Sequence, residues 1–284
     1  MTILANQHIL IENTRIAYGV YGEGDPLILI HGTPSSSYIW RHVLPVCVEA
    51  GYQVYVYDLL GFGLSERPWD VRIDTSVTGQ VPILRGLIQA WGLPSAHIVA
   101  HDIGGAAAKR FALENPEQVR TLTLIDIVSY DSWPSPRTIQ QLQDGLDNLI
   151  NKPDAEHRAH YAEWLLSAVA NKEKLADSAL PIYLEYISGP VGQGSLYQHQ
   201  VSHYDPIHTM NVSEDLPKLG QLPVQILWGA DDQWQVKSWA TRLHEAILGA
   251  ELYVIEDCGH FAMEDQPEIV AKRVLDFISR HNSS

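Results

Sequence analysis

Asp102 stands in Val99-Ala100-His101-Asp102-Ile103-Gly104-Gly105, where an apolar run ends and an amphipathic one begins. A sharp strand-to-helix turn would lift its side chain clear of the backbone, provided that small residues stand two before and two after it. Ala100 and Gly104 meet that condition. A carboxylate with an ordinary pKa near ~4 is ionised at neutral pH and attacks an electrophilic carbon without a base. The product is an ester, and its hydrolysis by water does need a base. His260, in Cys258-Gly259-His260-Phe261, is the candidate base among 13 histidines, because it follows a glycine just after the last apolar run. Two acids could orient it: Asp232, 28 residues before it (260 minus 232) in Trp228-Gly229-Ala230-Asp231-Asp232, and Asp126 after Leu122-Thr123-Leu124-Ile125. Asp232 is favoured and Asp126 stays open. An aspartate at a helix start can equally serve as a plain N-cap, so the case for chemistry rests on the company Asp102 keeps.

Elements that could bring these residues together are legible in the hydrophobic pattern. Strands are expected at 8–12, 14–21 and 26–32, with a Gly-Asp-Pro turn, so that the chain opens as a β-meander. Strands at 53–58, 96–102, 119–126, 223–229 and 251–257 then alternate with an amphipathic segment near 37–49 and helices near 75–92, 104–115 and 236–247 and from Pro267. Such alternation implies a parallel sheet. It lapses between Ile127 and Pro217, where helical segments rich in Tyr, Trp and His take over. The expected plan is a core of residues 1–127 and 218–284 with a helical cap at 128–217.

HGTPSSSYIWR, DLLGFGLSERP, AHDIGG, WGADDQW and GHFAMEDQP follow one another in an order that resembles the α/β-hydrolase superfamily, and within it the haloalkane dehalogenase and epoxide hydrolase branch. The resemblance implies an α/β-hydrolase fold with a mostly parallel central sheet and an inserted cap, and a triad of Asp102, His260 and an acid. It also implies an oxyanion hole from the backbone N–H groups of Thr33, in His31-Gly32-Thr33-Pro34, and Ile103. Haloalkane dehalogenases hold the departing halide with a Trp after the nucleophile and an Asn in the HGNP loop. Ile103 and Thr33 occupy those positions here and supply no such N–H. Fluoroacetate dehalogenases place their acid where Asp126 stands, but bind carboxylate with an Arg beside the nucleophile, where this chain has Ile103 and Ala106. Lys109 and Arg110 are expected to face away or to pair with acids. An epoxide needs a proton donor, which cap tyrosines or a cap histidine provide. The substrate-binding candidates are His31 and, from the cap, Tyr161, Tyr183, Tyr186 and Tyr204, with Tyr197, His160, His199 and His203 behind them. Aromatic side chains are more often core than catalytic, so two at most are expected to reach Asp102.

At 284 residues, 45% hydrophobic and 19% charged, the chain has the composition of a folded globular protein. A net charge of -15 with no Lys/Arg cluster disfavours nucleic acid and anionic membranes. Cys47 and Cys258 lack metal-ligand spacing, so reduced thiols and no metal or cofactor are expected. No run reaches the roughly 20 apolar residues of a membrane helix, and a cytoplasmic location is the expectation. The partners are a small-molecule substrate and water; the sequence does not set the oligomeric state. The expected function is hydrolysis through an aspartyl ester, epoxides ahead of halides. Two alternatives remain: Asp102 as general base on an ester, lactone or carbon–carbon bond, and a ligand-binding protein without turnover.

Overall fold

A computed structural model describes residues 3–282. Eight strands form one sheet in the order β1-β2-β4-β3-β5-β6-β7-β8: β1 (Gln7–Ile11), β2 (Thr14–Tyr21), β3 (Asp25–Ile30), β4 (Tyr52–Tyr57), β5 (Ala96–His101), β6 (Val119–Ile125), β7 (Val224–Gly229) and β8 (Glu251–Ile255). From β4 through β3 to β8 every pairing is parallel; β1–β2 and β2–β4 are antiparallel. The expected opening meander is therefore corrected. β1 and β2 form a hairpin, but β3 leaves it to sit between β4 and β5. Its Leu27–Ile30 run is buried throughout, and only an interior parallel position covers both faces of such a run. β5 and β7 are likewise buried along their whole length, whereas β1 and β8, at the edges, are partly exposed.

Two apolar layers sandwich the sheet. One gathers α2 (Val77–Ala90) and α3 (Asp102–Glu114) over Ile28, Ile98, Leu124 and Ile226, while the other packs α1 (Leu44–Glu49) and the C-terminal helix over Leu27, Val99 and Leu227. Between β6 and β7 come α4 (Pro136–Asp144), α5 (Asp147–Ile150), α6 (Asp154–Leu166), α7 (Lys172–Asp177), α8 (Leu180–Ile187), α9 (Gly189–Ser195), a π-helical turn at Leu196–Gln200 and α10 (Ile207–Met210). α11 (Ser238–Ala246), α12 (Ala262–Asp265) and α13 (Pro267–His281) complete the chain. The 37–49 segment is a 3-10 turn at Ser37–Trp40 followed by α1, not one helix.

Lys109 points away from Asp102 and pairs with no acid. It is 1% exposed, on the inner face of α3, and its Nζ donates to Ser129 Oγ at 2.9 Å with no acid beside it. Burial, and then the charge of Arg110, pushes its amine down to about 7. Helix α3 is buried almost all round, so no face was free to carry the side chain outward. Arg110 reaches His208 O at 3.0 Å and Asn211 Oδ1 at 2.6 Å, again without an acid.

Candidate active site

Asp102 follows the last residue of β5 and opens α3 with φ +51°, the left-handed region that a non-glycine residue adopts only when its surroundings impose it. Gly104 permits the turn: a Cβ there would lie 2.0 Å from His31 O, so α3 could not approach the end of β3. The carboxylate is buried. Its Oδ1 accepts the Thr33 N–H at 2.7 Å, and the Ile103 N–H also supports its charge. Its Oδ2 lies 3.5 Å from His260 Nε2. Burial alone would raise the Asp102 carboxyl, but the His260 imidazole 3.5 Å away outweighs it and holds it below the ordinary carboxylate value.

His260 comes from the loop after β8, and its Nδ1 is 2.8 Å from Asp232 Oδ2. Asp232 is held in turn by the N–H groups of Trp234 (2.8 Å) and Gln235 (2.9 Å) on its Oδ1. The two loops can meet because Gly229 has no Cβ: one would stand 2.3 Å from Gly259 O. Burial lowers the affinity of the imidazole for a proton. The charge of Asp232, the Asp102 carboxylate facing Nε2 and the hydrogen bond to Asp232 overcome this and raise its pKa well above the ordinary value. The structure thus joins Asp102, His260 and Asp232 in one chain of contacts. Asp126 makes no hydrogen bond to the imidazole. Its Oδ1 accepts the Gly229 N–H at 2.8 Å.

A cavity of about 560 Å³ opens over Asp102, walled by Thr33, Ile103 and Val128 from the sheet side and by Trp133, Trp164 and Tyr204 from the β6–β7 insertion. Of the tyrosine candidates only Tyr204 lines it. Its hydroxyl meets Thr33 Oγ1, which also contacts Gln200 Oε1 at 3.3 Å. Since the amide oxygen can only accept, Thr33 donates to Gln200 and Tyr204 donates to Thr33. Burial, with the charge of Asp102 behind it, raises the Tyr204 phenol and keeps it protonated.

The other candidates lie elsewhere. Tyr161 sits edge-on to Trp164 and Tyr197 and lines a small adjoining cleft with Arg137 and His160. Tyr183 gives its hydroxyl to Glu264, where Arg41 also binds at 2.6 and 2.7 Å. Tyr186 is half-buried off the cavity, its carbonyl accepting from Arg67 at 2.8 Å. His31 braces the loop instead of facing the cavity: its Nε2 accepts the Leu59 N–H at 2.9 Å, leaving Nδ1 to donate to Gly32 O at 2.9 Å. His199 is buried and His203 half-buried near Asp74, both outside the cavity wall. Sequence reasoning missed Trp234, which stacks on Trp164 at 4.1 Å and 12° and lies 5.0 Å from the His260 ring. Its place two residues after Asp232 was the available signal. The indole N–H of Trp234 donates to Ser167 at 2.9 Å and that of Trp133 to Thr209 at 2.8 Å, so neither is free for a ligand.

A family model described as the alpha/beta hydrolase fold matches residues 25–267, a span that takes in the Thr33 loop, Asp102, Asp232 and His260. The chain belongs to the α/β-hydrolase fold family. Among this hydrolase's relatives is a soluble epoxide hydrolase of Corynebacterium sp. (strain C12), 27% identical with 98% of each chain covered. A cis-3-alkyl-4-alkyloxetan-2-one decarboxylase of Shewanella oneidensis is 22% identical over 96% of this chain and 88% of its own. The crystal structure of an alpha/beta hydrolase fold protein from Burkholderia ambifaria superposes with a TM-score of 0.88 at 30% identity, covering 97% of this chain and 99% of the other. Among the described residues no helix is long and apolar enough to cross a membrane.

Proposed function

We propose that this α/β-hydrolase opens epoxides through a covalent ester on Asp102, with residues 128–217 acting as a cap over the reaction. The observation that carries the reading is the Tyr204 phenol, protonated and lining the same cavity as an ionised Asp102; its proton, given to Thr33 Oγ1 in the resting site, turns to the substrate oxygen when the epoxide enters. Attack of the carboxylate on an epoxide carbon breaks the C–O bond. The alkoxide takes the Tyr204 proton, and a hydroxyalkyl ester remains on Asp102.

Esterification removes the negative charge that helps to hold a proton on His260. The imidazole can then give up that proton and act as base for a water attacking the ester carbonyl, while Asp232 steadies the imidazolium that re-forms. The Thr33 N–H, already 2.7 Å from Oδ1, and that of Ile103 are aimed where the new oxyanion develops, a contribution of roughly 3 kcal/mol in comparable sites. The proton that His260 gives up restores the Tyr204 phenol, and the water proton restores the imidazolium. The tetrahedral intermediate then breaks its bond between the ester carbon and the alkyl oxygen, the departing alkoxide takes the proton of the new Asp102 carboxyl, and the diol leaves an ionised Asp102. Likeness to a soluble epoxide hydrolase supports the same choice. Dehalogenation ranks second because Ile103 and Thr33, at the two positions beside Asp102 that would hold a departing halide, offer no side-chain N–H.

His260→Gln is expected to trap the ester. Incubated with a mixed panel of epoxides and alkyl halides, it gains the mass of the whole substrate if an epoxide has opened, or of the substrate less hydrogen halide if a halide has left. If no adduct forms with a substrate that the wild type turns over, Asp102 is a general base and the ester reading fails. Turnover that survives in Asp102→Ala removes Asp102 from the chemistry altogether.

A further inference from the structure

Asp126 follows the last residue of β6 with φ +46° and is fully enclosed. One oxygen takes the Gly229 N–H; the other, Oδ2, is buried with no donor to meet it. Asp232 beside it is the opposite case, with three N–H groups distributed over its two oxygens. The groups that face the imidazole are Asp102 at the start of α3, Asp232 after β7, Asp126 after β6 and the His101 ring of β5 at 4.7 Å. Burial keeps His101 neutral at about 3, and the nearby Cys258 thiol is driven up by burial and stays protonated. Three ionised carboxylates around one imidazolium would leave two negative charges uncompensated in a closed site, which is costly when no solvent reaches them.

We propose that Asp126 is a positioning residue carried as a neutral carboxylic acid, its proton directed at Asp232, so that Asp232 alone supplies the charge that holds His260. Burial, and then the charge of Asp232, push the Asp126 carboxyl well above the carboxylate range. A neutral donor draws on Asp232 without adding charge. It orients the acid and keeps the imidazole from becoming too strong a base to release its proton in the second step.

The test has two arms. Only the kinetic arm depends on the ester reading, which the His260→Gln adduct judges separately. In Asp126→Asn a neutral amide replaces a neutral acid, so the acid limb of the ester-hydrolysis rate, set by protonation of His260, is expected to move by less than about half a pH unit. Had Asp126 been ionised, its removal would weaken the hold on the imidazole proton, and the limb would drop by about one unit or more. The second arm needs no variant and no turnover. The infrared spectrum of the wild type is expected to retain a protonated-carboxyl C=O band, sensitive to deuterium exchange, at about pH 8, where ordinary carboxyls are ionised. A limb that falls by a unit, or a wild type without that band, overturns the proposal.

Discussion

In the proposed ring opening, Tyr204 and Asp102 divide the work between a proton and a charge. Each is kept in the needed state by its surroundings: burial holds the phenol protonated, and His260 with the backbone donors holds the carboxylate ionised. Tyr204→Phe should therefore lower kcat/KM for epoxides by about 10²- to 10⁴-fold, the range of a lost general acid. Adduct formation from an alkyl halide, which needs no proton, should change little in the same variant. Steady-state kinetics on an epoxide and adduct mass on a halide check both halves, and an equal loss on the two substrates would mean that Tyr204 only shapes the cavity. At this scale Asp102, His260 and Asp232 were legible because each follows a strand end. Tyr204 was one aromatic among many, and its selection depends on where the chain between α9 and α10 folds back over Thr33.

The element that does most is α3, whose first residue is Asp102 and whose inner face carries Lys109 against Ser129 in the loop leaving β6. In the unfolded chain a lysine keeps its ordinary value of 10.5, whereas in the fold this amine sits at about 7. Between those two values the unfolded state binds a proton that the folded state does not, so stability rises with pH there. The burden of Lys109 is greatest at and below about pH 7 and is gone above 10.5. Lys109→Met should accordingly raise the Tm at pH 7, with the advantage over the wild type narrowing as pH climbs toward 10.5. Calorimetry across that range tests it; a gain independent of pH would show that packing and not charge is responsible. The sequence did not show this burial because it depends on the sheet, loop and neighbouring helices that cover α3 on almost every side.

Across the whole molecule the β6–β7 insertion is fastened to the core by a polar cluster far from Asp102 in sequence. Arg41, just after the first 3-10 turn, grips Glu264 of α12, and Tyr183 of α8 joins the same carboxylate. Arg41 and Glu264 side chains are only 10% and 4% exposed, so Glu264→Ala would strand a buried guanidinium. Loss of one partner of a buried pair costs about 3–5 kcal/mol. A marked fall in Tm is therefore expected by differential scanning calorimetry. Tyr183→Phe, which leaves the Arg41–Glu264 pair intact, should cost much less and should leave epoxide turnover untouched, in contrast to Tyr204→Phe. The net charge of -15 disfavours the approach of anions at long range.

Strand positions, the turn at Asp102 and the loop bearing His260 followed from the sequence alone, since hydrophobic period, glycine placement and strand ends are properties of neighbouring residues. Sheet order did not: β2 and β3 are adjacent in the chain, yet β4 lies between them, because the apolar run of β3 must be covered on both faces. Contact between His260 and Asp232, not Asp126, depends on loops that approach through Gly229. The burial of Lys109 and the assignment of Tyr204 to the cavity and Tyr183 to Glu264 likewise depend on what packs against each side chain. Local pattern marks a residue as able to do chemistry, whereas its charge state and its partner are set by side chains distant in the chain that only the folded sheet and its insertion bring within bonding range.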